Sequence, residues 1–362
     1  MNLELTEEQV ALRDTVREFL AEKASVARYV RPMLDDSTGN SDDVWHGLAK
    51  LGATGVLIPD EHDGAGMAMV EAGVVAEELG AALYPGPWLS SAVAATRALT
   101  RTGADGGLLS GIADGTVIAT VGGLTGPRPT AGGSRLRGEL TAVPDAAAAT
   151  ALLVLADDPD GTALYAVDPD SDDVSVTPRP HVDPTHKLFD VVLDGAQARR
   201  LSDASADVVE ALVDDIIIAR AADAIGAANA VMRLAVEYAK VRRQFGQPIG
   251  SFQAVQHLCV DMYETVELAR SGVIHALWAA DAAEPSERHV AALRAKAFAG
   301  RLTSVGDTAI QVFGGIGFTW EHDAHLYLKR LLGWSSFLGA PHCYLETIGA
   351  KLVSDLNRKV LQ

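Results

Sequence analysis

Cysteine is almost missing from this sequence: Cys259 and Cys343 are the two thiols in 362 residues. Neither sits in a Cys-x-x-Cys or metal-ligand spacing, which excludes a disulfide framework and a cysteine zinc site; both are expected to be small core residues of helices. Positive charge is scarce as well. With 30 basic against 48 acidic residues and a formal net charge of −18, the chain would repel a polyanion, so nucleic acid is not an expected partner. No apolar run approaches the roughly 20 residues needed to cross a bilayer, so no membrane segment is expected. The opening Met-Asn-Leu-Glu-Leu-Thr-Glu-Glu-Gln is acidic and lacks the basic start and apolar core of a signal peptide, which leads to an expected cytoplasmic location.

What is present reads as helices, then short strands, then long helices, in two or three packed units. Thr6-Glu-Glu-Gln9 is a capping box, and Leu12, Val16, Phe19 and Leu20 recur behind it at helical spacing. Further helices are expected near 44–51, 70–82 and 90–100. Between about Val117 and Ser202 the texture turns to β-prone runs such as Ala151-Leu-Leu-Val-Leu155, Ala163-Leu-Tyr-Ala-Val167 and Val191-Val-Leu193, broken by Gly, Pro and Asp. His181 and His186 lie five apart in a loop with no third ligand candidate at metal spacing, so they read as structural or solvated, and no metal site is expected. From Asp207 onward Ala, Leu and Val dominate. Small residues crowd 219–230, which permits close helix approach, and a four-helix bundle is expected from helices near 207–241, 252–281, 287–313 and 341–358. The expected class is α+β: an N-terminal helical domain (1–115), a middle β domain (116–204) and a C-terminal four-helix bundle (205–362).

Two segments carry chemistry. Val241-Arg-Arg-Gln-Phe-Gly-Gln-Pro-Ile-Gly-Ser-Phe252 is echoed downstream by Gln311-Val-Phe-Gly-Gly-Ile-Gly-Phe318. A pyrophosphate needs a permanent cation and hydrogen-bond donors, and Arg242 supplies a planar fork of N–H groups that stays charged. Glycines at 314, 315 and 317 remove Cβ atoms where backbone must turn or approach a ligand. The plainer alternative is a basic last helical turn complementing the helix dipole, with Gly246 as C-cap.

The paired segments, with Lys296-Ala-Phe-Ala-Gly300 and Glu267-Leu-Ala-Arg270 between them, resemble the C-terminal domain of the acyl-CoA dehydrogenases, and the α, β, α order resembles that fold over nearly the whole chain. The resemblance implies FAD as cofactor and an acyl-CoA as substrate. It also implies that Arg242, Gln244, Phe245, Gln311, Gly314 and Gly315 reach across a subunit interface to the ADP half of a neighbour's FAD.

The family's own-flavin loop and its Glu base are missing from their usual places. On the family pattern, Ala142 falls where an aromatic covers the flavin, and Pro144, which offers no N–H, falls where a polar group contacts it. Leu338 falls at the Glu position, and Ile216 at the alternative position on the first bundle helix. Asp215 is a weak substitute base, since acidic residues early in a helix are more often dipole partners or surface. Glu321, His322 and Asp323 read as structural. This asymmetry resembles the base-lacking, β-like subunit of actinobacterial two-chain (α2β2) acyl-CoA dehydrogenases, in which a second acyl-CoA dehydrogenase chain is the partner. The alternatives are a self-sufficient homo-oligomer with a displaced carboxylate base, and a non-redox relative that binds an acyl-CoA or a partner.

Overall fold

The first helix begins where its capping box closes. In the computed structural model, which describes residues 4–104 and 106–360, Gln9 N donates to Thr6 Oγ1 at 3.3 Å and Thr6 N donates to Gln9 Oε1 at 2.9 Å. Helix α1 (Glu7–Lys23) is followed by the single turn α2 (Arg31–Met33), α3 (Asp42–Lys50), α4 (Met69–Ala81), α5 (Thr96–Thr102) and α6 (Gly106–Ala113). The stretch expected as ordinary helix from Ser90 is wound wider: Leu89–Ala95 is a π-helix that tightens into α5. Such widened turns are frequent at functional sites.

Seven strands follow: β1 (Ala119–Gly122), β2 (Thr130–Gly132), β3 (Arg135–Pro144), β4 (Ala151–Asp158), β5 (Gly161–Val167), β6 (Val174–Pro178) and β7 (Leu188–Asp203). Their pairing closes on itself, β4 to β2, β3, β7, β5 and back to β4, with β1 added parallel to β4 and β6 added to β7. Closure removes most free edges. β7 reaches 16 residues because β3, β5 and β6 all pair along it. Leu136, Val154, Ala163 and Val191 are fully buried inside the ring. A second apolar layer joins Leu153 and Leu164 to Ala95, Leu99 and Ile112 of the N-terminal helices.

Helix α7 (Ala206–Val241) is the axis of the C-terminal bundle, and the small residues along it do what their size allows. It crosses α4 so closely that a Cβ on Gly226 would lie 1.8 Å from the Glu77 carbonyl oxygen, and one on Gly80 would lie 1.9 Å from that of Asp223. After α7 come a hairpin of β8 (Arg243–Gln244) and β9 (Gln247–Pro248), then α8 (Gln253–Ala282), α9 (Pro285–Ala299), α10 (Thr303–Phe313), α11 (Ala324–Ser336) and α12 (Pro341–Val360). The third expected helix is therefore two. A 3₁₀ turn at Gly300–Leu302 separates α9 from α10, where Gly300 lies so close under Pro341 that a Cβ would come within 2.2 Å of the ring. Helix α11 also adds a member to the bundle beyond the four expected. Cys259 is half-buried and Cys343 is exposed on α12, so the thiols are not core residues as expected. Among the described residues no helix is long and apolar enough to cross a membrane.

Arg330 of α11 joins the three layers. Its guanidinium, 1 % exposed, forks onto Asp223 of α7 at 2.9 and 2.5 Å. Its third nitrogen donates to the Tyr84 carbonyl after α4 at 3.1 Å and to Thr185 Oγ1 before β7 at 2.9 Å. Removing one member of a buried pair strands the other charge, which typically costs about 3–5 kcal/mol. Arg330→Met is expected to lower unfolding free energy by that amount in urea titration. Adding Asp223→Leu, which removes the stranded carboxylate, is expected to recover part of the loss.

Candidate functional site

The positions singled out for what they lack converge. Ile216 of α7, Leu338 after α11, and Ala142 and Pro144 of β3 all line one cavity of about 320 Å³ between the β domain and the bundle. Each is brought there by a local irregularity or a helical face. Helix α7 presents Ile216, Ala219 and Arg220 at i, i+3 and i+4. The ladder of β3 on β7 slips between Leu140 and Val143, where Ala142 has φ 56°. Leu338 has φ 53°, and its carbonyl is fastened by Tyr344 Oη at 2.7 Å. A non-glycine residue at positive φ persists only where its surroundings over-determine it.

Carboxylates near this cavity are already engaged. Asp183 lines it but takes His186 Nδ1 at 2.7 Å, Thr185 N at 2.9 Å and Thr185 Oγ1 at 2.6 Å. Burial opposes its charge, and the neighbouring His186 and Arg330 overcome this and hold it well below the usual carboxylate range. Asp145, behind Ser90, accepts that hydroxyl and is pushed up to about 6 by burial, against the pull of Arg220 and Arg330. Asp215, the candidate base, faces away. It is fully buried and forked by Arg101 at 2.5 and 2.9 Å, with Arg97 at 3.6 Å. One step round the helix from Ile216, it ties α7 to α5 and offers the cavity no proton acceptor.

Two cations at this place were not anticipated as site residues. Arg220 is 8 % exposed and lies 4.3 Å over the Phe337 ring. Its signal in the sequence is a lone charge in Ile216-Ile-Ile-Ala-Arg-Ala-Ala, one turn after the apolar position Ile216. Lys296 is fully buried. Its Nζ donates to the carbonyls of Trp334 at 2.5 Å and Ser335 at 3.3 Å and stands 3.9 Å over the Trp334 ring. It thus fastens the end of α11 that delivers Phe337 and Leu338. Burial, aided by Arg220, brings its pKa down to about 7.

The ligand-facing candidates of the two paired segments lie on a second surface, and none of them lines the cavity. Helix α7 ends at Val241, with Arg242 as its C-cap; Gly246 is instead the second residue of the β8–β9 turn. Phe245 and Gly246 both have positive φ, 51° and 81°, the pattern of a tight primed hairpin turn. That turn holds Phe245 92 % exposed. The downstream segment is brought alongside: Tyr238 of α7 packs on Phe313 at 5.1 Å between ring centroids, and Phe313 on His322 at 4.2 Å. Arg242, Gln244, Gln311, Gly314 and Gly315 are all exposed.

Gly314 needs its φ of 64°, whereas a Cβ on Gly315 would meet nothing within 4 Å. Nothing inside the chain therefore requires glycine at 315. An unpaired guanidinium, two side-chain amides and bare backbone suit the phosphate end of a dinucleotide. His322 and Asp323 are structural: His322 Nδ1 accepts from Ala324 N at 3.0 Å, and Asp323 pairs with Arg31 at 2.7 Å. His186 is buried against Asp183, and His181 Nε2 meets the His186 carbonyl at 2.7 Å. Among the described residues one trio with metal-ligand chemistry comes together, Glu210, Asp214 and His289. It reads as an ion pair across α7 and α9, because Asp214 lies 3.1 Å from His289 Nδ1 and raises the imidazole pKa.

The model of the acyl-CoA dehydrogenase N-terminal domain matches residues 6–106, and that of the acyl-CoA dehydrogenase C-terminal domain matches residues 217–353. The chain is 34% identical over 350 residues to the acyl-CoA dehydrogenase IpdE2 of Mycolicibacterium smegmatis, covering 96% of this chain and 100% of IpdE2. It is 35% identical over 364 residues to the acyl-CoA dehydrogenase FadE34 of Mycobacterium tuberculosis; the match covers 98% of this chain but 49% of FadE34, so the chain spans about half that relative's length. Among solved structures, a chain of the ChsE4–ChsE5 complex of Mycobacterium tuberculosis superposes with TM-score 0.89 at 27% identity, covering 98% of this chain and 99% of that one. A chain of a variant of the Tcur3481–Tcur3483 steroid ACAD superposes at 0.88 and 28%, covering 97% and 99%.

Lys296 carries a pH signature. Its folded pKa of about 7 lies below the ordinary 10.5, so between those values the unfolded chain binds more protons than the folded one. Stability gained through this group therefore rises with pH across that window. Lys296→Met is expected to flatten the rise by up to ~1.4 kcal/mol per pH unit. Chemical denaturation at pH values spread across the window measures the slope.

Proposed function

The chain belongs to the acyl-CoA dehydrogenase family, and we propose that within it this chain is the base-lacking, β-like subunit of a two-chain α2β2 enzyme. The family's enzymes are FAD-dependent oxidoreductases of acyl-CoA thioesters. The observation that carries the proposal is the cavity wall: both positions at which the family carries its carboxylate base, here Leu338 and Ile216, face the same space and are apolar. A hydrocarbon side chain accepts no proton.

In the family reaction a carboxylate takes the α proton of the thioester, and bound FAD supplies the acceptor for the β hydride. The division of labour proposed here gives this chain the outer contacts. Arg242 would neutralise the pyrophosphate with charge-assisted hydrogen bonds, and Gln244 and Gln311 would donate amide N–H groups. Gly314 and Gly315 would let backbone approach closely, and the exposed Phe245 ring would cover an apolar edge. Proton abstraction falls to the carboxylate of the second acyl-CoA dehydrogenase chain. The similarity to a chain of the ChsE4–ChsE5 complex supports a two-chain assembly, and the likeness to a steroid ACAD supports a sterol-derived acyl group.

A self-sufficient homo-oligomer finds less support, since Asp215 is spent on Arg101. A relative without redox chemistry leaves the row of exposed donors on the second surface without a purpose.

Flavin absorbance per chain tests the proposal, with the protein alone and after co-expression with candidate partner dehydrogenases. The expected result is a colourless lone chain and one FAD per pair in the complex; one FAD per lone chain overturns it. In the complex, Arg242→Gln is expected to weaken FAD retention at least about tenfold. Gly315→Ala is expected to release flavin while leaving the melting temperature of the lone chain unchanged. Gly314→Ala, by contrast, is expected to cost the lone chain about 1 kcal/mol through its positive φ.

A further inference from the structure

Arg220 is a buried cation without a bonded anion. Three carboxylates belong to its surroundings, and none is bonded to it: Asp223 is forked by Arg330, Asp183 takes His186 and Thr185, and Asp145 accepts from Ser90 through Oδ2, its buried Oδ1 having no hydrogen-bond partner. The nearest acceptor to Arg220 is His186 Nδ1, 3.2 Å from its Nη2, but that same nitrogen lies 2.7 Å from Asp183 Oδ2. One ring nitrogen presents either a proton or a lone pair. The bond to a carboxylate is the charge-assisted one and takes the proton, which leaves Arg220 facing Nδ1–H with no acceptor there.

The Phe337 ring covers one face of the guanidinium at 4.3 Å, so what remains for a ligand is the cavity side. Leu89, Val93, Ile216 and Leu338 give the cavity apolar wall, and Ser90, Thr120, Thr125 and Thr141 line it with hydroxyls. A buried charge is costly unless it is paired, and the cavity of about 320 Å³ is within the range of small-molecule sites.

We infer that this cavity binds a carboxylate-bearing ligand with an apolar body, anchored by the Arg220 guanidinium. A planar two-oxygen acceptor matches the guanidinium fork, and Arg220 is the single Arg or Lys on this lining, whereas the second charge of a phosphate calls for a further cation. The inference rests on the reading that this chain's cavity does not house a flavin of its own.

The test is calorimetric titration of the full chain with cyclohexanecarboxylate and with its neutral isostere cyclohexanecarboxamide. The expected result is one carboxylate bound per chain, at least about tenfold more tightly than the amide, with the preference lost in Arg220→Gln and kept in Arg242→Gln. Equal affinities, no binding of either compound, or an undiminished preference in Arg220→Gln overturns the inference. If Arg220→Gln does not fold, the ratio of acid to amide on the unaltered protein decides alone. Titration with adipoyl-CoA against hexanoyl-CoA separates two sources of the same chemistry. An Arg220-dependent preference for adipoyl-CoA assigns the far end of an acyl thioester, and binding of the free acid without that preference assigns a free carboxylic acid. Flavin absorbance of the same sample reports separately on the proposed function.

Discussion

The buried fork of Arg330 on Asp223 is the constraint from which the arrangement of this protein follows. Helix α11 supplies the guanidinium, and helix α7, the chain after α4 and the loop before β7 each give it one partner. A guanidinium out of water tolerates little misalignment, because every unsatisfied N–H carries a desolvation cost. The three layers are thereby held at one mutual position, and the cavity between the β domain and the bundle is the space that position leaves. The glycine crossing of α4 and α7 acts in the same direction by removing the side chains that would hold the two backbones apart.

Polar groups are handled in opposite ways at the two candidate sites. Around the cavity nearly every charge is bonded inward: Asp183 to His186, Asp215 to Arg101, Lys296 to the end of α11. Such internal satisfaction suits a wall and leaves little for proton transfer. At the hairpin and the end of α10 the donors point outward, and an aromatic ring is held at positive φ in full exposure. The hairpin pairing of Gln244 with Gln247 fixes that backbone, and Phe252 meets one edge of the Phe245 ring at 6.1 Å between centroids, which leaves the rest of the ring for another surface.

Much of the architecture was legible in the sequence because it rests on local pattern. The capping box at Thr6 marks the first helix, alternation of apolar runs with Gly, Pro and Asp marks the strands, and the alanine-rich stretch marks α7. Where the reading departed from the structure, the cause was a contact distant in sequence. The helix expected over 287–313 breaks because Pro341 crosses at Gly300, and nothing within that segment announces it. Helix α11 follows a glycine-rich turn and owes its place to Arg330 and Trp334, whose partners lie far away along the chain.

The candidate site divides along the same line. By itself the sequence determined that the two positions at which the family resemblance places a base, Leu338 and Ile216, are apolar, and that Arg242, Gln244, Phe245 and Gln311 stand near glycines, since residue type is read directly once the resemblance fixes the positions. Only the tertiary structure decided that Ile216, Leu338, Ala142 and Pro144 share one cavity, that Asp215 is turned away from it, and that Arg220 stands in it without an anion. Those outcomes depend on which side chain faces which across elements far apart in the sequence, and a buried charge is defined by its neighbours in space and not by its neighbours in sequence.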